Sequence, residues 1–289
     1  MKSNNPIITL TTDMGLKDHY VGVLKGNILS SIPGVQLVDI THDIQSFNIA
    51  RAAFVVKHSA FSFPKGSIHI VGVSPEVKVD PENPDDGTYP LLMSYEGHYF
   101  IASDNGFFSL LTAGDQFDSL IRVSSFSKPE YIQQPLNTIM VEMAKDIISG
   151  KKPEKIGEPV QTFKQAMQFA PAISENLIRG SVIHIDKYGN IITNIHQSDF
   201  DRVGKGHPFV IYFRKKEYYI DQLSKYYGDV EPGEKLAFFN FSGHLEIAIN
   251  QGTNDTRGGA DTLFGVHLQD IIRVEFFPNG SKENFDTFF

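Results

Sequence analysis

The chain has 289 residues, 41% hydrophobic and 21% charged, with a net charge of −8 and no cysteine. This is the balance of a folded globular protein with room for two domains or one large one, which excludes a disordered chain, disulfides, thiolate metal sites and cysteine nucleophiles. Scattered lysines under a negative total argue against nucleic acid as a partner. The absence of an apolar run near the ~20 residues of a membrane span, with no signal-peptide core in MKSNNPIITLTTD, makes a cytoplasmic protein without a membrane partner the expectation.

From the amino end, IITLTT (7–12) reads as a buried strand. Asp18 to Ile32 places Tyr20, Val23, Leu24, Asn27 and Ile28 at helical spacing, and Pro33-Gly34 stops it. VQLVDI (35–40) is a second strand, Asn48 is placed to cap a helix through AAFVVKHSAF, and SIHIVGV (67–73) is a third strand. LLMSY and HYFIA pair as a hairpin about Glu96-Gly97, and Asn137 to Ile148 is an amphipathic helix stopped by Gly150. Alternating strands and helices indicate a mostly parallel sheet with covering helices.

The pattern changes after about residue 175. SVIHIDKYGNIITNI forms two β-rich runs around Tyr188-Gly189-Asn190, and PFVIYF, YYIDQL, KLAFFNF, HLEIAIN and IIRVEFF follow closely. The expected fold is therefore an N-terminal α/β domain with a mostly parallel central sheet, residues 1–172. A smaller C-terminal β barrel or sandwich follows, residues 173–289.

The third strand stops at Ser74-Pro75 and opens into a loop with five carboxylates: Glu76, Asp80, Glu82, Asp85 and Asp86. Loops after buried strands are where α/β proteins keep their chemistry. TTDMG (11–15) sets Asp13 just past the first strand, where an acid accepts two hydrogen bonds from a ribose diol or caps a turn. SDNG (103–106) allows the same two readings and has the composition of a tight turn. In DKYGN (186–190), Asp186 suits an ammonium group and Asn190 a purine edge; Tyr-Gly-Asn is equally good turn chemistry. The ten histidines do not cluster, and no metal is expected. No P-loop, GxSxG or GxGxxG occurs.

Six blocks occur in order: ITLTTDMGLKDHYVGVLKGNIL, VDITHDI with Phe47, FPKGSIHIVGV, FIASDNG, IDKYGNIITNI and FSGHLEIAINQG. With them the chain resembles, over nearly its whole length, the S-adenosylmethionine hydroxide adenosyltransferase family, relatives of fluorinase and chlorinase. The resemblance implies a homotrimer that uses no cofactor. Its small-molecule adenosyl ligand, S-adenosylmethionine as substrate or ligand, would sit at the subunit interface, where one N-terminal domain meets a neighbour's C-terminal domain. Family members attack the ribose C5′ and displace methionine; water-using members give adenosine and methionine. Carried over by position, Asp13 would hold the ribose diol and Phe47 pack on the sugar. Asp186 would meet the methionine ammonium, Asn190 the adenine edge, and Asn240, Phe241 and Ser242 would add contacts.

Water-using members carry an Asp-Pro-Gly-Val-Gly loop after the third strand, an arginine a few residues on, and a later His-Gly-Arg-Asp motif. Here Ser74 stands at the aspartate position and Pro135 at the histidine position, and no arginine occurs between Arg51 and Arg122. The catalytic residues are therefore unassigned, with Glu76, Asp80, Lys17 and His19 as conceivable replacement bases. The acids after Ser74 would repel a halide, which argues against halogenase chemistry. Three readings stay open: weak or altered hydrolysis of S-adenosylmethionine, an adenosyl-binding module without turnover, or an enzyme for another adenosine-containing substrate.

Overall fold

A computed structural model describes residues 5–278 except 81, 84, 85, 125, 127, 168, 169, 256 and 257, and without the side chains of 215–217. The chain forms two units, Met1–Met167 and Gln168–Phe289, so the first closes shortly before the expected change at residue 172.

In the first unit the strands are β1 (Ile7–Thr12), β2 (Gln36–Thr41), β3 (Ile68–Gly72), β4 (Pro90–Tyr95), β5 (His98–Ser103), β6 (Ser119–Arg122) and β7 (Glu158–Pro159). They form one sheet in the order β2-β1-β3-β5-β4-β6-β7, parallel from β2 through β5. The helices are α1 (Tyr20–Ser31), α2 (Ile49–Ser59), α3 (Phe107–Thr112), α4 (Glu130–Gln133) and α5 (Ile139–Ile148). Side chains alternate across the sheet. Ile8, Leu10, Ile68 and Ile70 pack with Leu24 and Ile28 of α1 and Met140 of α5. Val71, Leu91 and Phe100 pack on the other face with Val56 of α2 and Phe108 of α3. All of β3 is buried, as a central parallel strand requires; each fully buried isoleucine contributes about 1.5–3 kcal/mol.

Local signals set several boundaries. Asn48 caps α2, its Oδ1 accepting the Arg51 N–H at 2.9 Å. The β4–β5 hairpin turns at Glu96 (φ 50°) and Gly97 (φ 79°), two positive values that match the twist of the flanking strands. α1 begins at Tyr20 and α5 at Ile139, because Pro135–Asn137 forms a separate 3₁₀ turn.

The second unit has strands β8 (Ala172–Ser174), β9 (Leu177–Ile185), β10 (Ile191–His196), β11 (Phe209–Phe213), β12 (Lys215–Ile220), β13 (Lys235–Phe239), β14 (His244–Ile249) and β15 (Ile271–Phe276). Helices α6 (Gln197–Gly204) and α7 (Ala260–Phe264) interrupt them. The order β12-β11-β15-β9-β10-β14-β13, antiparallel throughout, with β8 added to β9, is a nearly closed barrel. Its edges approach each other: the Ser224 N–H donates to Ala237 O at 2.8 Å and Lys235 Nζ lies 5.2 Å from the Tyr219 ring. Ile178, Ile191, Ile211, Leu245, Ile247 and Ile272 fill the interior. Of YYIDQL, expected as a strand, only Tyr218 to Ile220 is one. Among the described residues no helix is long and apolar enough to cross a membrane.

Candidate functional site

In the first sheet, the crossovers leaving β1 and β2 place β2 on one side of β1 and β3 on the other. The carboxyl ends of β1 and β3 therefore flank a switch point, the usual ligand crevice of an open α/β sheet. Thr12 is paired with Gly72 there, so Asp13 and Ser74 leave neighbouring strand ends.

Asp13 Oδ2 accepts the Phe47 N–H at 2.8 Å. Thr12 Oγ1 meets His42 Nδ1 at 2.8 Å and the Gly15 N–H reaches His42 O at 2.7 Å, which ties the loops after β1 and β2 together. Phe47 is held at φ 64°, unusual for a bulky residue, with its ring 69% exposed. The structure thus joins Asp13 and Phe47, and Asp13 Oδ1 makes no hydrogen bond among the described residues. Lys17 and His19 lie exposed between β1 and α1.

Ser74 also has a positive φ, 45°. The Asn105 amide holds it by donating to Val73 O at 3.1 Å and Ser74 O at 2.9 Å. SDNG is therefore a tight turn that also clamps the end of β3. The acidic loop is a short ribbon, with Lys78 and Thr88 exchanging backbone hydrogen bonds of 2.9 and 2.7 Å. Asp80 Oδ1 accepts the N–H groups of Glu82 and Asn83, and Lys164 Nζ reaches Thr88 Oγ1 at 3.1 Å. One Asp80 oxygen is spent on the turn, Glu76 is exposed, and Asp85 lies outside the described residues.

Pro135 and Leu136 are buried in the turn before α5. A Cβ on Gly72 would stand 2.3 Å from Leu136 Cδ2 and 3.2 Å from Thr12 Cγ2. The segments carrying Asp13, Ser74 and Pro135 therefore converge at the switch point, where a leucine side chain covers Gly72. Methyl groups there neither orient nor deprotonate water. Leu136 and Gly72 were not singled out in the sequence, since nothing local marks a leucine as the neighbour of a glycine so distant in the chain.

In the second unit, Asp186 Oδ1 accepts the Tyr188 N–H at 2.8 Å and the Asn190 N–H at 2.9 Å. Asn190 Nδ2 donates to Asp186 Oδ2 at 3.0 Å and to the Tyr227 hydroxyl at 2.9 Å. Tyr227 donates to Glu246 Oε1 at 2.8 Å, and Asn240 Nδ2 to Glu246 Oε2 at 3.1 Å. Three residues singled out from the sequence, Asp186, Asn190 and Asn240, are thus joined through two that were missed. Burial, acting with the neighbouring Glu246 carboxylate, pushes the Tyr227 hydroxyl above its ordinary range. Burial likewise raises Glu246, against the Asn240 and Tyr227 hydrogen bonds. An acid inside the apolar run HLEIAIN was the signal available for Glu246, because a buried carboxylate needs partners.

Gly189 (φ 82°) lets the DKYGN turn seat against the chain near α7; a Cβ there would stand 2.4 Å from Asp261 Oδ1 and 2.7 Å from Gly259 Cα. Asn240 Oδ1 accepts the N–H groups of Ser242 and His244, both at 3.1 Å, which shapes the β13–β14 turn and leaves Phe241 91% exposed. Grooves of about 530, 400 and 510 Å³ lie elsewhere, around Lys65, Lys145 and Gln222. Among the described residues no group of three or more histidines and acids is placed to hold a metal ion.

Residues 8–157 match the S-adenosylmethionine (SAM) hydroxide adenosyltransferase N-terminal domain, and residues 180–273 match its C-terminal domain. An (R)-S-adenosyl-L-methionine hydrolase from Methanocaldococcus jannaschii is 31% identical over 67% of this chain and 68% of its own. A fluorinase from Nocardia brasiliensis is 26% identical over 85% of this chain and 90% of its own. The crystal structure of an uncharacterized conserved protein from Thermotoga maritima superposes with a TM-score of 0.79, at 26% identity, over 93% of this chain and 99% of that one.

Proposed function

This chain belongs to the SAM hydroxide adenosyltransferase family, and from that premise we propose that it binds SAM or a close adenosyl compound and hydrolyses it slowly. The observation that carries the reading is the row of hydrogen bonds from Asp186 and Asn190 through Tyr227 to Glu246 and Asn240. A solvated turn needs no such row anchored on the buried Asn190 and Glu246, whereas a ligand site does.

In this reading Asp13 uses its unbonded Oδ1 for the ribose diol, and Phe47 packs on the sugar. Asp186 Oδ2 has lone-pair capacity left for the ammonium, and Asn190 meets the base. Asn240, Phe241 and Ser242 border the remainder. Water oxygen bonds to C5′, the C5′–S bond breaks, methionine leaves as a neutral thioether, and the proton passes to solvent. Orientation and an already cationic leaving group accelerate this step without a positioned base. Ser74 offers water one hydroxyl and Leu136 none, which is why turnover is slow. The acids after Ser74 argue against a halide as nucleophile.

A reading without turnover draws its support from the apolar turn at Leu136. Incubation of the purified protein with SAM separates the two. Adenosine above a heat-killed control supports hydrolysis, whereas calorimetric SAM binding without adenosine leaves a binding protein. Absence of both sinks the proposal. We also propose the homotrimer that the resemblance implies, with the site at the subunit interface; a monomer mass by sedimentation would count against it.

A further inference from the structure

Both N–H bonds of the Asn190 amide are occupied. One donates to Asp186 Oδ2 and the other to the Tyr227 hydroxyl. Asp186 Oδ1 already accepts two backbone N–H groups, so the carboxylate lies on the accepting side and the amide nitrogen must face it. Tyr227 donates its hydroxyl hydrogen bond to Glu246, which leaves its oxygen to accept from Asn190. Glu246 is 7% exposed and accepts from Asn240 as well, so both of its oxygens are accepting. The row has one direction, and the only polar atom of the Asn190 side chain without a hydrogen bond among the described residues is Oδ1, an acceptor.

We infer that Tyr227 and Glu246 are positioning residues that lock the Asn190 carbonyl oxygen outward, which makes the site select a purine that donates a hydrogen bond at its 6-position over one that accepts there. This rests on the reading of Asn190 as the residue that meets the base. A 6-amino purine gives Oδ1 an N–H. A 6-oxo purine sets two oxygens against each other with no proton between them. Rotating the amide to relieve that contact would turn Oδ1 toward the Asp186 carboxylate and forfeit the Tyr227 bond. A site whose polar groups are left unpaired by the wrong ligand discriminates strongly, here by at least about tenfold.

The test is calorimetric binding of adenosine and inosine to the full chain. The unmodified protein binds adenosine at least about tenfold more tightly. Tyr227→Phe removes one of the two acceptors that hold the Asn190 amide, so the amide turns an N–H toward inosine at lower cost and the ratio falls to within about threefold. Glu246→Gln, which cannot accept from both Tyr227 and Asn240, lowers the ratio in the same direction and serves where Tyr227→Phe does not fold. A merely structural role would weaken both nucleosides alike and leave the ratio unmoved. An unchanged ratio in a folded variant overturns the inference, as does equal binding of the two nucleosides by the unmodified protein; the family reading survives either result. Failure to bind adenosine, inosine or SAM sinks that reading and this inference with it.

Discussion

The first unit presents Asp13 and Phe47 beside a switch point where Ser74 follows the third strand and Leu136, next to Pro135, covers Gly72. The second holds Asp186, Asn190 and Asn240 in a continuous hydrogen-bonded row. Under the proposed function the second unit serves recognition and the first the reaction, and the two have different tolerances. A recognition row fails when one buried partner is lost, because the other is left unsatisfied. A reaction on an activated leaving group slows without its catalytic residues but does not stop.

The largest effect expected is acid destabilisation of the first unit. Thr9 Oγ1 meets His69 Nδ1 at 2.7 Å, and His69 Nε2 meets His98 Nδ1 at 3.2 Å, all three residues buried, with Phe100 stacked on His69. Burial, with the neighbouring His98, lowers the His69 pKa to about 3, and burial with Lys65 nearby lowers that of His98. The unfolded chain, with an ordinary histidine pKa of 6.5, then binds more protons than the folded one as pH falls. Stability from His69 is complete above about pH 6.5 and is lost progressively down to about pH 3, on the order of 4 kcal/mol in all. Urea unfolding followed between pH 7 and pH 4 checks this. His69→Phe should flatten the slope, and an unchanged slope would show that His69 does not carry it.

Next in size is Gly189→Ala in the second unit. It places a side chain at φ 82° and forces a Cβ against Asp261 and Gly259, costing about 3 kcal/mol. The melting temperature should fall by roughly 10 °C and SAM binding should be lost, while the acid transition of the first unit stays in place. Retained binding would show that the DKYGN turn is not needed in this shape.

A smaller effect, in the opposite direction, is expected from Ser74→Asp combined with Pro135→His. Aspartate tolerates the positive φ at 74 better than most residues, and an acid and a base restored near the switch point should speed adenosine formation about tenfold. No change would mean that Leu136 keeps water out whatever stands beside it, and it would favour the binding-only reading.

How legible these contrasts were in the sequence depends on their range. IITLTT, SIHIVGV and the hairpin at Glu96-Gly97 announce themselves, because strand burial and turn chemistry are local. Helices α3, α6 and α7 did not, being short and cut from runs such as NGFFSLLTAG that carry no clear helical stripe. The six blocks led to the family, and Asp13, Asp186 and Asn190 were singled out as candidates because loop acids and amides stand out beside strands. Tyr227 and Glu246 were not. Tyr227 lies in a tyrosine pair of ordinary loop composition, and the row exists only once β10 and β14 are paired. Leu136 over Gly72 is the same lesson for the first unit: the leucine that covers the end of the third strand looks like any other core leucine until its neighbour is known.

The smallest effect expected tests whether the β13–β14 turn belongs to the recognition half at all. Phe241 is 91% exposed, so Phe241→Ala should change stability by less than about 0.5 kcal/mol. If its ring covers part of the ligand, adenosyl affinity should still fall about threefold to tenfold, since burying an aromatic face on binding contributes about 1 kcal/mol. Calorimetry beside a melting curve reads both numbers on one preparation. A fall in affinity with unchanged melting extends the recognition surface from Asn240 to the tip of its turn. Unchanged affinity restricts recognition to the hydrogen-bonded row, and Phe241 leaves the site.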